Sequence, residues 1–452
     1  MRAWTVQRLS LGKRGANLHA ALVARPGSCI RRLAGTRARE IQFTRLLRNE
    51  AVTVAEMASH AAARTAVRAA GRDVVVVQDT SELALGGRRA KAQGYGPIGK
   101  GGAVRGLLLH AALAVDATSG GVLGLVDAKV WNRKGGKTTP RRARQTQQKE
   151  SQRWLEVASL AGEALATANS VTVVSDRESD IYEHFARRPD NVHLIVRACQ
   201  NRKIQTEDED QIDLLFPYVD GLPEQGRLTV KIPAAPGRKA RMTELAVRYS
   251  RIVLCKPRHG VAGDLPKTIA LTMVDVRETS NPEDGKPIHW RLLTTREVTS
   301  LGEAHRIVDL YRLRWTIEEF FHTLKTGGFD IEAADIGDPQ AMINFVAAAT
   351  VAAVTVMQLV KARDDTTGQR LTDAFEPADQ PILEAVSAQL EGKTSKQKNP
   401  HPSGSLAFAA WVIARLGGWT GYYGKPGPQV MRRGLEDFQR IKYGATLRLQ
   451  HV

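Results

Sequence analysis

The stretch Asp73-Val74-Val75-Val76-Val77-Gln78-Asp79-Thr80 decides the fold. Four consecutive valines show no polar alternation, and β-branched side chains suit a pleated surface, so the run predicts a strand buried on both faces. Asp79 stands at its predicted C-terminal end, where such a strand reaches solvent and an aspartate commonly opens a turn. A second run of this kind, Ser170-Val171-Thr172-Val173-Val174-Ser175-Asp176, also ends in an aspartate. Between the two, Leu107–Val115 and Val122–Val130 predict strands joined by a turn over Asp116–Gly121. Gln147–Ala168 predicts a helix with Trp154, Leu155, Ala158 and Leu165 on its apolar face. A short helix through Phe185 and a strand over Val192–Arg197 follow.

Three strands, a helix, a strand, a helix and a strand is the order of a ribonuclease-H-like α/β core. From Asn201 to about Lys286 the pattern changes to short alternating runs among Pro and Gly, such as Leu228–Ile232 and Ala246–Tyr249, which predicts a β-rich insertion. The α/β pattern returns at Trp290–Thr295, followed by a long helix from near Glu303. The predicted division is a helical DNA-binding segment over 1–70, the core over 71–200, the insertion over 201–288, the rest of the core over 289–330, and a helical dimerisation region over 331–452. In the first segment, helices are expected around Ala16–Ala24, Arg37–Arg48 and Thr53–Ala70, the last opened by the capping box Thr53-Val-Ala-Glu56. A polar linker, Lys393–Ser405, precedes the closing segment that contains Ala414-Arg-Leu-Gly-Gly-Trp419.

The stretch Tyr311–Lys325 contains neither Gly nor Pro and predicts one helix of about four turns. On it Tyr311, Arg314, Trp315, Glu318 and Lys325 fall within roughly 100° of one another. Taken alone, such a polar stripe reads as a solvated face with helix salt bridges. Glu318 lies about 20° from Tyr311 and Glu319 about 80° away, so Glu318 is the glutamate assigned to the stripe.

The bulk numbers narrow the classes of function. The 452 residues allow about two to four domains, and 42% hydrophobic with 25% charged residues is a globular composition. Lys and Arg exceed Asp and Glu by 65 to 47, a net charge of +18, which suits a polyanionic partner. Before residue 70 the bases outnumber the acids by about ten, and Arg31, Arg32, Arg37, Arg39, Arg45 and Arg48 mark a DNA-reading module. Cys29, Cys199 and Cys255 are too scattered for a disulfide framework or a Cys metal site, as in a reducing compartment. No signal-peptide core opens the chain, and Phe345–Met357, its most apolar run, falls short of a bilayer span and predicts a buried helix. A cytoplasmic protein without a membrane partner is expected. Gly94-Tyr-Gly-Pro-Ile-Gly99-Lys100 has P-loop spacing, but Gly101 replaces the hydroxyl that would bind Mg²⁺ and Pro97 is a poor helix starter, so nucleotide binding is rejected.

In such a core the strands ending in Asp79 and Asp176 are neighbours. Two adjacent carboxylates repel unless a positive charge sits between them. Hard Mg²⁺ or Mn²⁺ prefers oxygen ligands, and Glu318 would complete a set for two ions about 4 Å apart, acting on a phosphodiester. Three acids also suit a glycosidase, but the positive charge and the bases near each acid argue against a neutral sugar.

These residues carry a resemblance. Gln78-Asp79-Thr80 after a valine strand, Ser175-Asp-Arg-Glu-Ser-Asp-Ile-Tyr182, and the Tyr-Arg-Glu-Lys spacing of Tyr311, Arg314, Glu318 and Lys325 resemble the insertion-sequence-four family of bacterial DDE transposases, the group of the transposon-five enzyme. Phe43–Asn49 and Ala414–Trp419 also resemble family segments, whereas Leu11–Asn17 departs from the family's usual start. The resemblance implies a ribonuclease-H-like fold with a β insertion and cut-and-paste transposition in a dimeric complex with double-stranded DNA, both transposon ends and target. It implies that Asp79, Asp176 and Glu318 are catalytic and bind the metals. Tyr311, Arg314 and Lys325 would hold phosphates of the transposon end, with Trp315 on the same stripe and Arg197 as further DNA-binding residues. Trp290 would stack on a flipped base; by its position it reads equally as a core residue. The competing function is a catalytically silent DNA-binding regulator or transposition inhibitor.

Overall fold

The computed structural model describes residues 2–85, 93–99, 101–133, 150–205, 212–232, 240–259, 261–282, 287–422 and 424–449. The helices are α1 (Arg2–Ala24), α2 (Ile30–Ala34), α3 (Arg37–Leu47), α4 (Val54–Ala69), α5 (Gln152–Ala164), α6 (Tyr182–Ala186), α7 (Leu215–Gly221), α8 (Leu301–Arg312), α9 (Trp315–Lys325), α10 (Pro339–Ala362), α11 (Gln380–Leu390), α12 (Leu406–Leu416) and α13 (Pro428–Leu449). The strands are β1 (Asp73–Ala84), β2 (Gly96–Ile98), β3 (Val104–Asp116), β4 (Val122–Trp131), β5 (Ser170–Ser175), β6 (Val192–Arg197), β7 (Lys203–Gln205), β8 (Ile212–Leu214), β9 (Gly226–Ile232), β10 (Arg241–Cys255), β11 (Thr268–Glu278) and β12 (His289–Thr294). They divide into two compact units. One comprises Met1–Asp73, Thr80–Gly136 and Trp315–Val452, and the other Val74–Asp79 and Lys137–Arg314.

The first unit is built around α10. This helix is apolar nearly all round and buried along almost its whole length, as a helix must be when no face is left for solvent. It is longer than the Phe345–Met357 run suggested and is long and apolar enough to cross a membrane, but 83% of its most apolar window is buried in the protein. Helices α1, α3, α4, α9, α12 and α13 and strand β4 pack on it. Its one buried amide to reach another element, Asn344, donates to the Leu47 carbonyl at the end of α3, at 2.9 Å. The amino-terminal helices therefore share a core with the carboxy-terminal ones. Helix α1 starts well before Ala16. Thr53 caps α4 as expected, its hydroxyl accepting from Glu56 N at 3.2 Å. The face of α4 that is buried carries Ala58, Ala61, Ala62, Thr65 and Ala69, small enough for the helix to lie close to β4. At Gly124 a Cβ would stand 2.1 Å from Thr65 Oγ1, and that hydroxyl donates to the Leu125 carbonyl at 2.7 Å. β4 pairs antiparallel with β3, as does β2. The P-loop-like glycines thus enclose a short strand, with Pro97 opposite Arg105, and no helix starts there. Positions 86–92 of that loop, and Lys100, lie outside the described residues.

In the second unit β1, β5, β6, β12, β11, β10, β7 and β8 follow one another in hydrogen-bonded order, and β9 also pairs with β10. β5 and β6 are parallel, while β12 runs antiparallel to β6 and to β11. The strands of 201–288 therefore continue the sheet of the core through β12 rather than forming a sheet of their own. Helix α5 begins at Gln152; the expected start at Gln147 lies outside the described residues.

Two expectations need correction. Strand β1 does not end at Asp79 but runs to Ala84, and just beyond it Leu85 N bonds the Arg105 carbonyl at 3.0 Å. Asp79 marks where burial ends, because the β3 edge keeps the backbone extended past it. The stretch Tyr311–Lys325 is also not one helix. Leu313 N and Arg314 N bond the carbonyls of Leu310 and Tyr311, three residues back, and these tight turns separate α8 from α9. The 100° count consequently does not carry across from Tyr311 to Glu318.

Glycine tests the packing of α12 on α13. A Cβ on Gly434 would meet the Ile413 carbonyl at 1.7 Å, whereas one on Gly444 has nothing within 4 Å. Gly434→Ala should lower stability by about 1–3 kcal/mol through overpacking. Gly444→Ala should raise it by up to about 1 kcal/mol through helix propensity. Urea unfolding of the two variants reads both signs.

Candidate active site

Burial along β1 gives way at Asp79 after five buried residues. Asp176 directly follows β5, the neighbour of β1, and opens the short 3-10 turn Arg177–Ser179. Its backbone is fixed from within that turn, since Ser179 N and Ser179 Oγ both donate to its carbonyl, at 3.1 and 2.8 Å. Two carboxylates, one within β1 where its burial gives way and one just past β5, are thus delivered by neighbouring strands of one unit, and their side chains keep 27% and 32% exposure.

Each carboxylate meets a cation. Arg314 Nη1 lies 3.4 Å from Asp79 Oδ2, and Arg197 Nη1, at the end of β6, lies 3.9 Å from Asp176 Oδ1. Tyr311 OH donates to the same Asp176 oxygen at 3.4 Å, and the Arg314 guanidinium sits 5.9 Å from the Tyr311 ring centre. The end of α8 with the turn after it therefore links the two acids. One of its residues reaches each carboxylate, and the two residues touch each other. Tyr311 is buried, and burial, then the charge of Asp176, holds its phenol above the ordinary range, so it remains a proton donor. Trp290, the second residue of β12, is 7% exposed and stacks obliquely on Tyr311 with ring centres 5.4 Å apart. Asp79, Asp176, Arg197, Trp290, Tyr311 and Arg314 thus form one connected cluster inside one unit.

Trp315, Glu318 and Lys325 belong to the other unit, on α9. Glu318 lies in the first turn of that helix. Its neighbour Glu319 faces another way, paired with Lys361 of α10 at 2.8 Å. Lys325 closes the helix, donating to the Glu82 carbonyl and lying 3.5 Å from Glu332, which also accepts from Ala84 N at 2.9 Å. The ammonium thus fastens α9 to the second half of β1.

Asp180, four residues after Asp176, has no role of its own in the sequence analysis beyond its place in the Ser175–Tyr182 motif. Its side chain is fully buried and saturated. One oxygen accepts from Cys199 N and Gln200 N at 2.8 and 2.9 Å, and the other from Arg202 Nε and Nη2 at 3.0 and 2.8 Å. Asp180 therefore ties the turn that carries Asp176 to the segment just past Arg197. The only sequence signal was an acidic residue so soon after a strand-end aspartate, and its arginine lies twenty-two residues away.

Chemically the cluster offers hard carboxylate oxygens for a divalent cation and guanidinium groups for a polyanion. The donor type fits Mg²⁺ or Mn²⁺. Among the described residues, however, no group of three His, Cys, Asp or Glu side chains is drawn together as a ready metal cage. Two carboxylates facing two guanidinium groups are balanced by protein cations as they stand.

Removing one member of a buried pair leaves an uncompensated charge and costs about 3–5 kcal/mol. Arg202→Ala should therefore destabilise the protein by that amount in urea unfolding, while Arg197→Ala, whose pair is partly exposed, should cost about 1 kcal/mol or less.

The model of the family described as transposase DDE domain matches residues 70–354, which include β1, β5, the Tyr311–Arg314 turn and α9. The match covers well over half of the chain and contains every residue of the cluster. The chain belongs to the transposase DDE-domain family.

Proposed function

We propose that this protein binds the ends of a mobile DNA element and catalyses metal-dependent strand cleavage and strand transfer, as a cut-and-paste transposase of the insertion-sequence-four group. The observation that carries the reading is the bracket from Asp79 through Arg314 and Tyr311 to Asp176. A ribonuclease-H-like core is supported by the chain order of its elements and by β5 and β6 following β1 in the sheet.

In this reading Asp79 and Asp176 hold two Mg²⁺ or Mn²⁺ ions. Glu318 is the third ligand, assigned from its place four residues after Arg314 and from the engagement of Glu319 elsewhere. Bound ions would lower the pKa of an attacking water and offset charge on the leaving 3′ oxygen. The chain's own groups bind and orient the DNA. Once the acids are compensated by metal, Arg314 and Arg197 can turn to phosphate oxygens, where a guanidinium fork binds two at a time. Tyr311, kept protonated, donates its hydroxyl to the same backbone. Lys325 and Trp315 on α9 would extend the contact along the strand. For Trp290 to receive a flipped base, its ring has to be uncovered from Tyr311, which binding of Tyr311 to phosphate would allow. The exposed arginines of α2 and α3 and the net charge of +18 suit duplex DNA, and a homodimeric complex would pair two ends.

Purified protein, incubated with Mn²⁺ and a duplex carrying the DNA that flanks its gene, should nick the element boundary. Asp176→Ala should reduce cleavage at least about 1,000-fold, on the order of a lost metal ligand, while a mobility-shift assay records end binding within a few-fold of the unaltered protein. Parallel loss of binding and cleavage, or cleavage that survives, would sink the assignment. Intact binding with no cleavage by either protein would favour the silent regulator.

A further inference from the structure

The closing segment of the first unit, beyond the family match, contains a cleft of about 480 Å³. It is lined by Trp411 of α12, Trp419 and Tyr422, by Lys396 and Lys398 of the polar linker, and by Arg363 at the end of α10. The aromatic wall is held in place. Trp419 Nε1 donates to the Gly424 carbonyl at 3.0 Å, and Arg415 donates to the carbonyls of Trp419 and Thr420, at 3.3 and 2.5 Å, while lying 5.5 Å from the Trp411 ring centre. Arg363 bonds the Pro426 carbonyl at 2.7 Å, closing the other end of the loop. Tyr422 is 52% exposed. Both lysines lie toward solvent; among the described residues neither has an ion-pair partner and no Asp or Glu lines the cleft, although His401 of its lining lies 3.5 Å from Asp365.

We propose that this cleft binds an unpaired nucleotide of a DNA strand, with the base against Trp419 and Tyr422 and the neighbouring phosphates on Lys396 and Lys398. Aromatic rings beside unpaired ammonium groups suit single-stranded nucleic acid, because every base offers a π face and every linkage a negative charge. Duplex DNA keeps its bases stacked inside the helix and presents one only at the cost of flipping it out. The volume falls in the range of small-ligand sites and suits one nucleotide better than a folded partner. An acidic peptide would satisfy the lysines but leave the rings without a stacking partner. The site is additional to the proposed cleavage centre and is tested by binding alone.

The test uses the full chain and a labelled single strand of about twelve nucleotides, within the span of one stacking groove, containing 5-iododeoxyuridine. Photocrosslinks should map to the peptide holding Trp419 and Tyr422. In anisotropy titrations Trp419→Ala should weaken binding about tenfold and Trp419→Phe much less. Lys396→Ala/Lys398→Ala, a change confined to surface side chains, should flatten the log–log salt slope by about 1.4, two single-strand phosphates. Unlabelled duplex and poly-glutamate should compete poorly. Crosslinks confined to other peptides, equal competition by duplex or poly-glutamate, or an unchanged slope in the double variant would each overturn the proposal. Because none of these readings requires cleavage, a protein that fails to cut DNA can still bind the strand here, and one that cuts can fail to.

Discussion

Two carboxylates on neighbouring strands repel, and the second unit is arranged around compensating them. Asp79 and Asp176 each sit where a buried strand reaches solvent, and each is met by a guanidinium, from Arg314 and Arg197. The last turn of α8 and the turn that follows supply Tyr311 and Arg314, so one short backbone stretch serves both acids. Leu313 N and Arg314 N bond the carbonyls of Leu310 and Tyr311, and α8 ends there.

Around this cluster the fold supplies rigidity. Asp180, saturated by two backbone amides and by Arg202, fixes the turn behind Asp176. A fully satisfied buried carboxylate restricts a loop because any displacement leaves charge uncompensated. Trp290 fills the space behind Tyr311. The long strands β10 and β11 continue the sheet beyond β12, so the edge of the core is not left exposed next to the site.

The other unit is organised differently. Its centre is a single helix, α10, buried on nearly all faces, against which amino-terminal and carboxy-terminal helices share one core. Close approach there depends on small residues, as between Gly124 and Thr65 or Gly434 and Ile413. Membership of the transposase DDE-domain family accounts for residues 70–354; the aromatic and basic cleft of the closing segment lies outside that stretch and has chemistry of its own.

Elements with local signals could be read directly from the residues. The valine run of β1, the strand ending in Asp176, the cap at Thr53 and the apolar run inside α10 were all legible, because burial on both faces and capping leave their mark within a few residues. The spacing of Tyr311, Arg314, Glu318 and Lys325 was also legible, as composition and order. Where β1 stops depends on packing, since the extension from Thr80 to Ala84 follows from its partner strand β3 and not from its own polar residues. The fold also shows that the supposed single helix breaks at Leu313, that Trp290 is covered by Tyr311, and that Asp180 is an anchor. Apart from the break at Leu313, made by local bonds, these depend on contacts between residues on different elements, and periodicity within one segment carries no record of them.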